Sequence, residues 1–297
     1  MTLCKLCGSP TTAIGTKRGL VSKREFHLVR CPRCQFAFVA DPWTDYASIY
    51  SEDYYRGRGA DPYVDFAFES EHPGTTIRRY EWEGILTNVQ RLISVGPQTR
   101  WLDFGCGQGG LLQHCSRHVP AQYFGFEEGW VGEGNTPGLK MIRRPEMLVE
   151  AAPFDVITAI EVFEHVEDPV KTIEFIHSLL KRDGLLFFTT GNPQPHWNRF
   201  LAWEYVYPEV HLNYFTPTAM NRLLGDAGFR TESRKFLPGH AGILRYKVLK
   251  RLGLKEQRLW EQCLPWKLIT RMIDIHLKLS RQPIAWGGAL IGDHEPG

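Results

Sequence analysis

Hydrophobic and polar positions change period several times along the chain, and the changes mark out its elements. Over residues 75–93 the apolar residues Ile77, Trp82, Ile85, Leu86, Val89 and Ile93 recur at three- to five-residue steps, which predicts a helix. Short apolar runs then alternate with amphipathic stretches: 101–104, 123–126, 139–142 and 154–160 read as strands and 109–118 as a helix. Asp168-Pro169 opens another helix, with Asp as N-cap and Val170, Ile173, Ile176, Leu179 and Leu180 along one face. It is predicted to run through a basic last turn at Lys181-Arg182 and stop at Gly184, before a buried strand over 185–190. A helix over 217–227 ended by Gly228, a strand over 229–236, a helical stretch over 247–281 and a strand at Trp286–Ile291 complete the run. Such alternation predicts an α/β fold with a parallel sheet covered on both faces.

The first forty residues follow a different logic. Cys4-Lys-Leu-Cys7 and Cys31-Pro-Arg-Cys34 form two Cys-x-x-Cys pairs, the spacing of a closed tetrahedral zinc site, so Cys4, Cys7, Cys31 and Cys34 are predicted to hold a structural Zn2+. Cys106, Cys115 and Cys263 lack ligand spacing and are expected to be simply buried. Residues 41–74, with Tyr46, Tyr50, Tyr54, Tyr55 and Tyr63, show no clean period and read as loops and short helices. The predicted organisation is a zinc-ribbon module over 1–42, an aromatic linker or substrate-side segment over 43–74, and the α/β domain over 75–297. Its 247–281 insertion, with Trp260, Trp266, Ile269, Ile273 and Leu277, is expected to be a lid or a dimer surface.

Composition narrows the partners. With 43% hydrophobic and 23% charged residues, 297 residues suffice for one large core and a small appendage. The net charge of +2 and the interspersed signs announce neither nucleic acid nor a membrane surface. The start lacks a signal-peptide pattern, and no apolar run approaches the roughly 18 residues of a membrane helix. A soluble, cytoplasmic monomer or homodimer is expected.

The candidate chemistry centres on Trp101-Leu-Asp103-Phe104-Gly105-Cys-Gly107-Gln108-Gly109-Gly110, a carboxylate at a strand end followed by a glycine-rich turn into a helix. Glycines let the backbone approach a ligand closely, and the helix start offers unpaired N–H groups. The same glycines satisfy the dinucleotide fingerprint, but a carboxylate at Asp103 would repel a pyrophosphate, whereas it suits the ammonium of a sulfonium amino acid. Glu127, ending the next strand, is placed to bind ribose hydroxyls.

These residues, followed by Phe154-Asp-Val-Ile, Glu161-Val-Phe-Glu164-His165, Gly184-Leu-Leu-Phe-Phe and Thr189-Thr190-Gly-Asn192, resemble the class I S-adenosylmethionine-dependent methyltransferases over about residues 75–236. The resemblance implies a Rossmann-like seven-stranded sheet whose last strand is antiparallel, with the methyl donor at the carboxyl ends of the first strands. It implies Asp103, Phe104, Gly105, Gly107, Gln108, Glu127 and Glu161 as cofactor-binding residues. The family's long helix after the second strand is replaced by a short glycine-rich stretch over 129–138, so adenine is expected to lie against residues 141–147. With its zinc ribbon, the chain is also similar to antibiotic-sugar C-methyltransferases and natural-product relatives, though it lacks the sugar enzymes' long second domain.

Methyl transfer asks the protein to align donor and nucleophile and, for a hydroxyl or amine, to remove a proton. His165, past the fourth strand of the domain, is the expected general base. His211, in Glu209-Val-His211-Leu-Asn213, is the second catalytic candidate and the expected acceptor-side wall. Trp197, Trp203, Tyr205 and Tyr207 suit a planar or sugar-like acceptor, or simply a core. The leading expectation is O- or C-methylation of a small molecule. The alternative is an RNA base methyltransferase gripping nucleic acid through Lys17-Arg18, Lys23-Arg24, Arg30 and Arg33, against which stand the low net charge and the lack of an Asn/Asp-Pro-Pro-aromatic motif. A non-catalytic adaptor and a dehydrogenase are the remaining readings.

Overall fold

The computed structural model describes residues 2–59, 65–129, 138–232, 239–279 and 286–291. Its strands are β1 (Thr12–Arg18), β2 (Glu25–Arg30), β3 (Ala37–Val39), β4 (Arg100–Phe104), β5 (Gln122–Phe126), β6 (Leu139–Ile142), β7 (Phe154–Ile160), β8 (Leu180–Thr189), β9 (Asn213–Tyr214), β10 (Phe229–Glu232) and β11 (Trp286–Ile291). Helices α1 (Tyr46–Ile49), α2 (Glu52–Tyr55), α3 (Phe66–Glu71) and α4 (Arg78–Leu92) precede β4; α5 (Gly110–Ser116), α6 (Pro145–Ala151), α7 (Pro169–Leu179) and α8 (Pro217–Asp226) connect later strands. Helices α9 (His240–Arg251), α10 (Leu259–Gln262) and α11 (Trp266–Leu279) lie between β10 and β11.

The large sheet runs β10-β11-β8-β7-β4-β5-β6. Pairings β4·β5, β4·β7, β5·β6 and β7·β8 are parallel, while β11 is antiparallel to both β8 and β10, the direction the resemblance assigns to the last strand. The near-continuous apolar runs are explained by burial on both faces: Trp101, Leu102, Val156, Ile157, Leu185 and Leu186 are all fully buried. Each such side chain contributes about 1.5–3 kcal/mol on leaving water. Strand order reverses beside β4, so the β4 and β7 carboxyl ends open onto one crevice.

Two expectations change. Helix α7 ends at Leu179, and Lys181 and Arg182 already belong to β8; Lys181 is held there by Asp155 at 2.7 Å, an ion pair that the local pattern could not show. Cys263 is exposed, whereas Cys106 and Cys115 are buried. The strand expected over 229–236 is seen to Glu232, and residues 233–236, like Tyr63 and Arg281, lie outside the described residues.

Two packing arrangements position the site. Helix α9, which starts before the expected insertion, lies on α4, where a Cβ at Gly84 would collide with the carbonyl oxygen of Gly239. Backbone contact this close draws α9 against the rim of the crevice. The N-terminal sheet, in turn, runs β1-β2-β3-β9 and takes its last strand from the α/β region, with Ala37 opposite Tyr214 and Phe38 opposite Asn213. Its small core mixes Phe26, Leu28 and Val39 with Phe200, Val206 and Tyr214.

Candidate active site

A cavity of about 1120 Å3 opens at the carboxyl ends of β4, β5 and β7. Asp103, at the end of β4, is 4% exposed; its Oδ1 accepts from Thr158 Oγ1 at 2.6 Å, and Thr158 accepts from Trp101 Nε1 at 3.1 Å. Burial pushes the Asp103 carboxyl up to about 7, against the Thr158 hydrogen bond, which lowers it. A buried acid raised by desolvation is one that a cationic ligand would relieve. The following turn passes through Gly105 and Gly107 at φ +74° and +54°, the left-handed region. Glu127 then ties the two loops together: its Oε2 accepts from Gly107 N at 2.9 Å, and its Oε1 from Gly129 N and the Tyr55 hydroxyl, both at 3.0 Å. Phe104 and Gln108 line the same cavity.

The segment expected to be a linker or a substrate-side segment furnishes a wall of this cavity. Tyr46, Tyr50, Tyr54 and Tyr55, from α1 and α2 and the turn between them, line it together with Phe66 of α3, whose ring sits about 3.4 Å from where a Gly107 Cβ would stand. Three short helices joined by turns carry these rings, so no single period announced them.

At the other end, residues beyond β7 meet the segment before β9. Glu161 has φ +56° and its carboxylate takes Lys247 Nζ at 3.0 Å, Thr189 Oγ1 at 3.1 Å and the Tyr205 hydroxyl at 2.9 Å. Burial works to raise it, but the Lys247 ammonium and hydrogen bonds from Glu164, Lys247 and Tyr205 hold it well below the carboxylate range. Glu164, fully buried, bonds the hydroxyls of Thr190 and Tyr205, and burial with the neighbouring Glu161 charge pushes it well up. His165 Nδ1 lies 3.0 Å from the Val210 carbonyl and 3.2 Å from the Tyr50 hydroxyl. Burial, then the adjacent His211, bring its imidazole down to about 3, so the ring is neutral at pH 7. His211 Nδ1 lies 2.6 Å from the Tyr205 carbonyl, and the two imidazole centroids are 4.8 Å apart.

Sequence reasoning thus brought Asp103, Glu127, Glu161, His165 and His211 to one cavity. It missed Lys247, Arg78 and Glu81, which form a charge chain along the α4–α9 side: Arg78 pairs with Glu81 at 3.0 Å, and Lys247 stands 3.8 Å from Glu81. A signal existed, because Glu81 interrupts the apolar stripe midway between Ile77 and Ile85. Trp203, Tyr205 and Tyr207 reach the cavity, whereas Trp197 packs on the N-terminal sheet beneath Arg30.

The four N-terminal cysteines come together as two matching knuckles. Cys4 and Cys31 each donate their N–H to the carbonyl five residues on and accept at their own carbonyl from the residue four on, and each knuckle ends left-handed, at Gly8 and Gln35. All four sulfurs lie within 4.8 Å, with Cys4–Cys34 and Cys7–Cys31 at 3.5 Å and no disulfide. Glu209 ties this unit to the cavity: its carboxylate accepts from the backbone N–H groups of Leu20, Val21 and Ser22.

A family model described as a methyltransferase domain matches residues 61–234, more than half of the chain. The chain belongs to the methyltransferase-domain family. It is a class I S-adenosylmethionine-dependent methyltransferase, and S-adenosylmethionine is its methyl donor. Among curated relatives, this methyltransferase is 29% identical over 161 residues to the ubiquinone biosynthesis O-methyltransferase of Neisseria meningitidis serogroup C, covering 48% of this chain and 68% of the relative. It is 34% identical over 157 residues to the enzyme of that name from Ruegeria pomeroyi, covering 46% of this chain and 62% of the relative, so it spans less than two thirds of that protein. Among solved structures it is similar to the plantazolicin methyltransferase BpumL in complex with S-adenosylhomocysteine, at 16% identity and a TM-score of 0.47, covering 77% of this chain and 88% of that one. Among the described residues, no helix is long and apolar enough to cross a membrane.

Proposed function

We propose that this methyltransferase transfers a methyl group to a hydroxyl or carbon centre of a small organic acceptor. The observation that carries the reading is the single cavity joining Asp103, Phe104, Gly105 and Glu127 to the His165–His211 pair. Asp103 takes the ammonium of the donor's amino acid, and Glu127, with Gly107 and Gln108 beside it, takes the ribose hydroxyls; Glu161, fixed by Lys247, borders the reacting end. Bound S-adenosylmethionine supplies an electrophilic methyl on its sulfonium. The acceptor's nucleophilic atom lies against His165 and His211. Because a carbonyl oxygen can only accept, each ring must carry its hydrogen on Nδ1, which leaves Nε2 as the basic nitrogen toward which an acceptor hydroxyl directs its proton.

A small molecule is favoured over RNA by how the N-terminal cations are spent. Of the six cations that an RNA reading would use, Lys17 donates to the Leu201 carbonyl, Arg18 to Lys23, Lys23 to Leu20, Arg24 pairs with Asp41 and Arg30 lies over Trp197, while Arg33 stays exposed. Side chains bound within the protein are poorly placed to neutralise phosphates. The names of the curated relatives support an oxygen acceptor. In the same reading Cys4, Cys7, Cys31 and Cys34 hold a structural Zn2+, since a tetrahedron of Zn–S bonds of about 2.3 Å sets its sulfurs about 3.8 Å apart, close to the separations seen.

Calorimetric titration with S-adenosylhomocysteine, followed by an acceptor screen of phenols, sugars and short RNA, tests the proposal. Binding that disappears in Glu127→Ala, with turnover on a small acceptor, is the expected result. Turnover confined to RNA, weakening steeply with salt, would overturn the acceptor class.

A further inference from the structure

Beside the acceptor end of the cavity, Glu164, His165 and His211 each bring one ligand atom within 4.8 Å of the others. We infer that this trio holds a divalent first-row transition-metal ion against which the acceptor's oxygen binds, a second metal centre separate from the four cysteines. The inference deepens the proposed function and rests on it: the imidazoles act on the acceptor through the ion instead of taking its proton themselves.

Three independent features of the geometry point to a ligand set. First, both histidines are oriented as ligand histidines are, each held with Nδ1 at a backbone carbonyl, Val210 for His165 and Tyr205 for His211, which fixes the plane of the ring. Second, Glu164 is aimed by the hydroxyls of Thr190 and Tyr205, and among the described residues no lysine or arginine pairs with it; Lys247 is held by Glu161 and Glu81 instead. Third, the two segments that supply the ligands are locked together. Leu212 N and Asn213 N both donate to the Glu164 carbonyl, at 2.6 and 3.1 Å, and Asn213 Nδ2 donates to the carbonyls of Phe163 and Val166. Ligands from distant parts of the chain are thereby preorganised before any ion arrives.

The donor atoms select the ion and the chemistry. Two imidazoles and a carboxylate suit Mn2+, Fe2+, Co2+ or Zn2+ better than Mg2+ or Ca2+, whose preferred ligands are all oxygen. Three protein ligands leave positions open for water or for an acceptor oxygen. A phenol or alcohol bound there is acidified and loses its proton to solvent water; the O–C bond then forms as the donor's C–S bond breaks.

The test uses the full-length, tag-free protein loaded with zinc at its cysteines. Mn2+ is titrated in and the free ion followed by electron paramagnetic resonance, with total metal counted by mass spectrometry. One further ion per chain is expected, absent in His211→Ala and bound at least about tenfold more weakly in Glu164→Gln, which keeps the side-chain shape. S-adenosylhomocysteine binding is measured on every variant, so loss of the ion counts only where the cofactor still binds. Cofactor binding with no second ion, or with an ion indifferent to His211 and Glu164, overturns the metal centre and leaves the methyltransferase reading standing. Failure of the wild-type protein to bind the cofactor overturns that reading itself.

Discussion

Asp103 is caught between two demands, and replacing it with asparagine separates them. Burial raises its carboxyl from 3.8 to about 7 when no cation lies against it. An acid whose folded pKa exceeds its unfolded value holds its proton more readily when folded. The folded state therefore loses stability as pH rises from about 3.8 to about 7 and carries the full cost above. At about 1.36 kcal/mol per pH unit, the cost is about 4 kcal/mol at pH 8 and about 1.6 kcal/mol at pH 5. An asparagine amide has no charge to desolvate and can still accept from Thr158, so Asp103→Asn should stabilise the cofactor-free protein by up to these amounts, read from urea denaturation at both pH values. On the proposed placement of the donor, the same change removes a charge-assisted contact to its ammonium worth about 1.5–3 kcal/mol, so S-adenosylhomocysteine should bind about 10–150-fold more weakly. A variant that is no more stable at pH 8, or that binds the cofactor as tightly as the parent, would refute the reasoning.

Other perturbations probe the supports of the site. Arg78→Met strands Glu81, fully buried, without its 3.0 Å partner and should cost about 3–5 kcal/mol in denaturant melts; an unchanged midpoint would show that the charge chain carries no stability. Glu209→Ala should cost about 1.5–3 kcal/mol and speed hydrogen exchange at residues 20–22 while leaving β4 and β5 protected, because three backbone donors lose a charged acceptor. Cys31→Ser should abolish zinc retention in a metal assay and loosen exchange protection at β9 as well as β1–β3, since that sheet is continuous. Zinc content equal to the parent's would remove Cys31 from the ligand set.

What the sequence determined by itself is what local chemistry dictates. Apolar runs short enough to be strands and buried on both faces gave β4, β5, β7 and the second half of β8. Asp168-Pro169 placed the start of α7, where the Asp168 side chain accepts from Val170 N and Lys171 N. Asp103, the glycine turn and Glu127 are close in sequence because a single strand–turn–helix–strand unit carries them, so their meeting needed no knowledge of the rest. The two Cys-x-x-Cys pairs are likewise local, since each is carried by one turn.

Tertiary structure alone decided what depends on distant segments touching. The end of α7 at Leu179 goes with the pairing of Leu180 to Phe154 of β7, beside which Lys181 meets Asp155, a strand contact that no helix-stop signal encodes. The tyrosines of residues 46–55 became a cavity wall because α1 to α3 fold back over the β4–α5 turn, and irregular aromatic segments have no period to reveal that. Lys247 entered the site because α4 and α9 approach closely at Gly84 and Gly239, bringing it to Glu161, 86 positions away. The convergence of Glu164 and His165 with His211 rests on hydrogen bonds between the 163–166 turn and Leu212–Asn213, contacts specified only once the whole chain is packed.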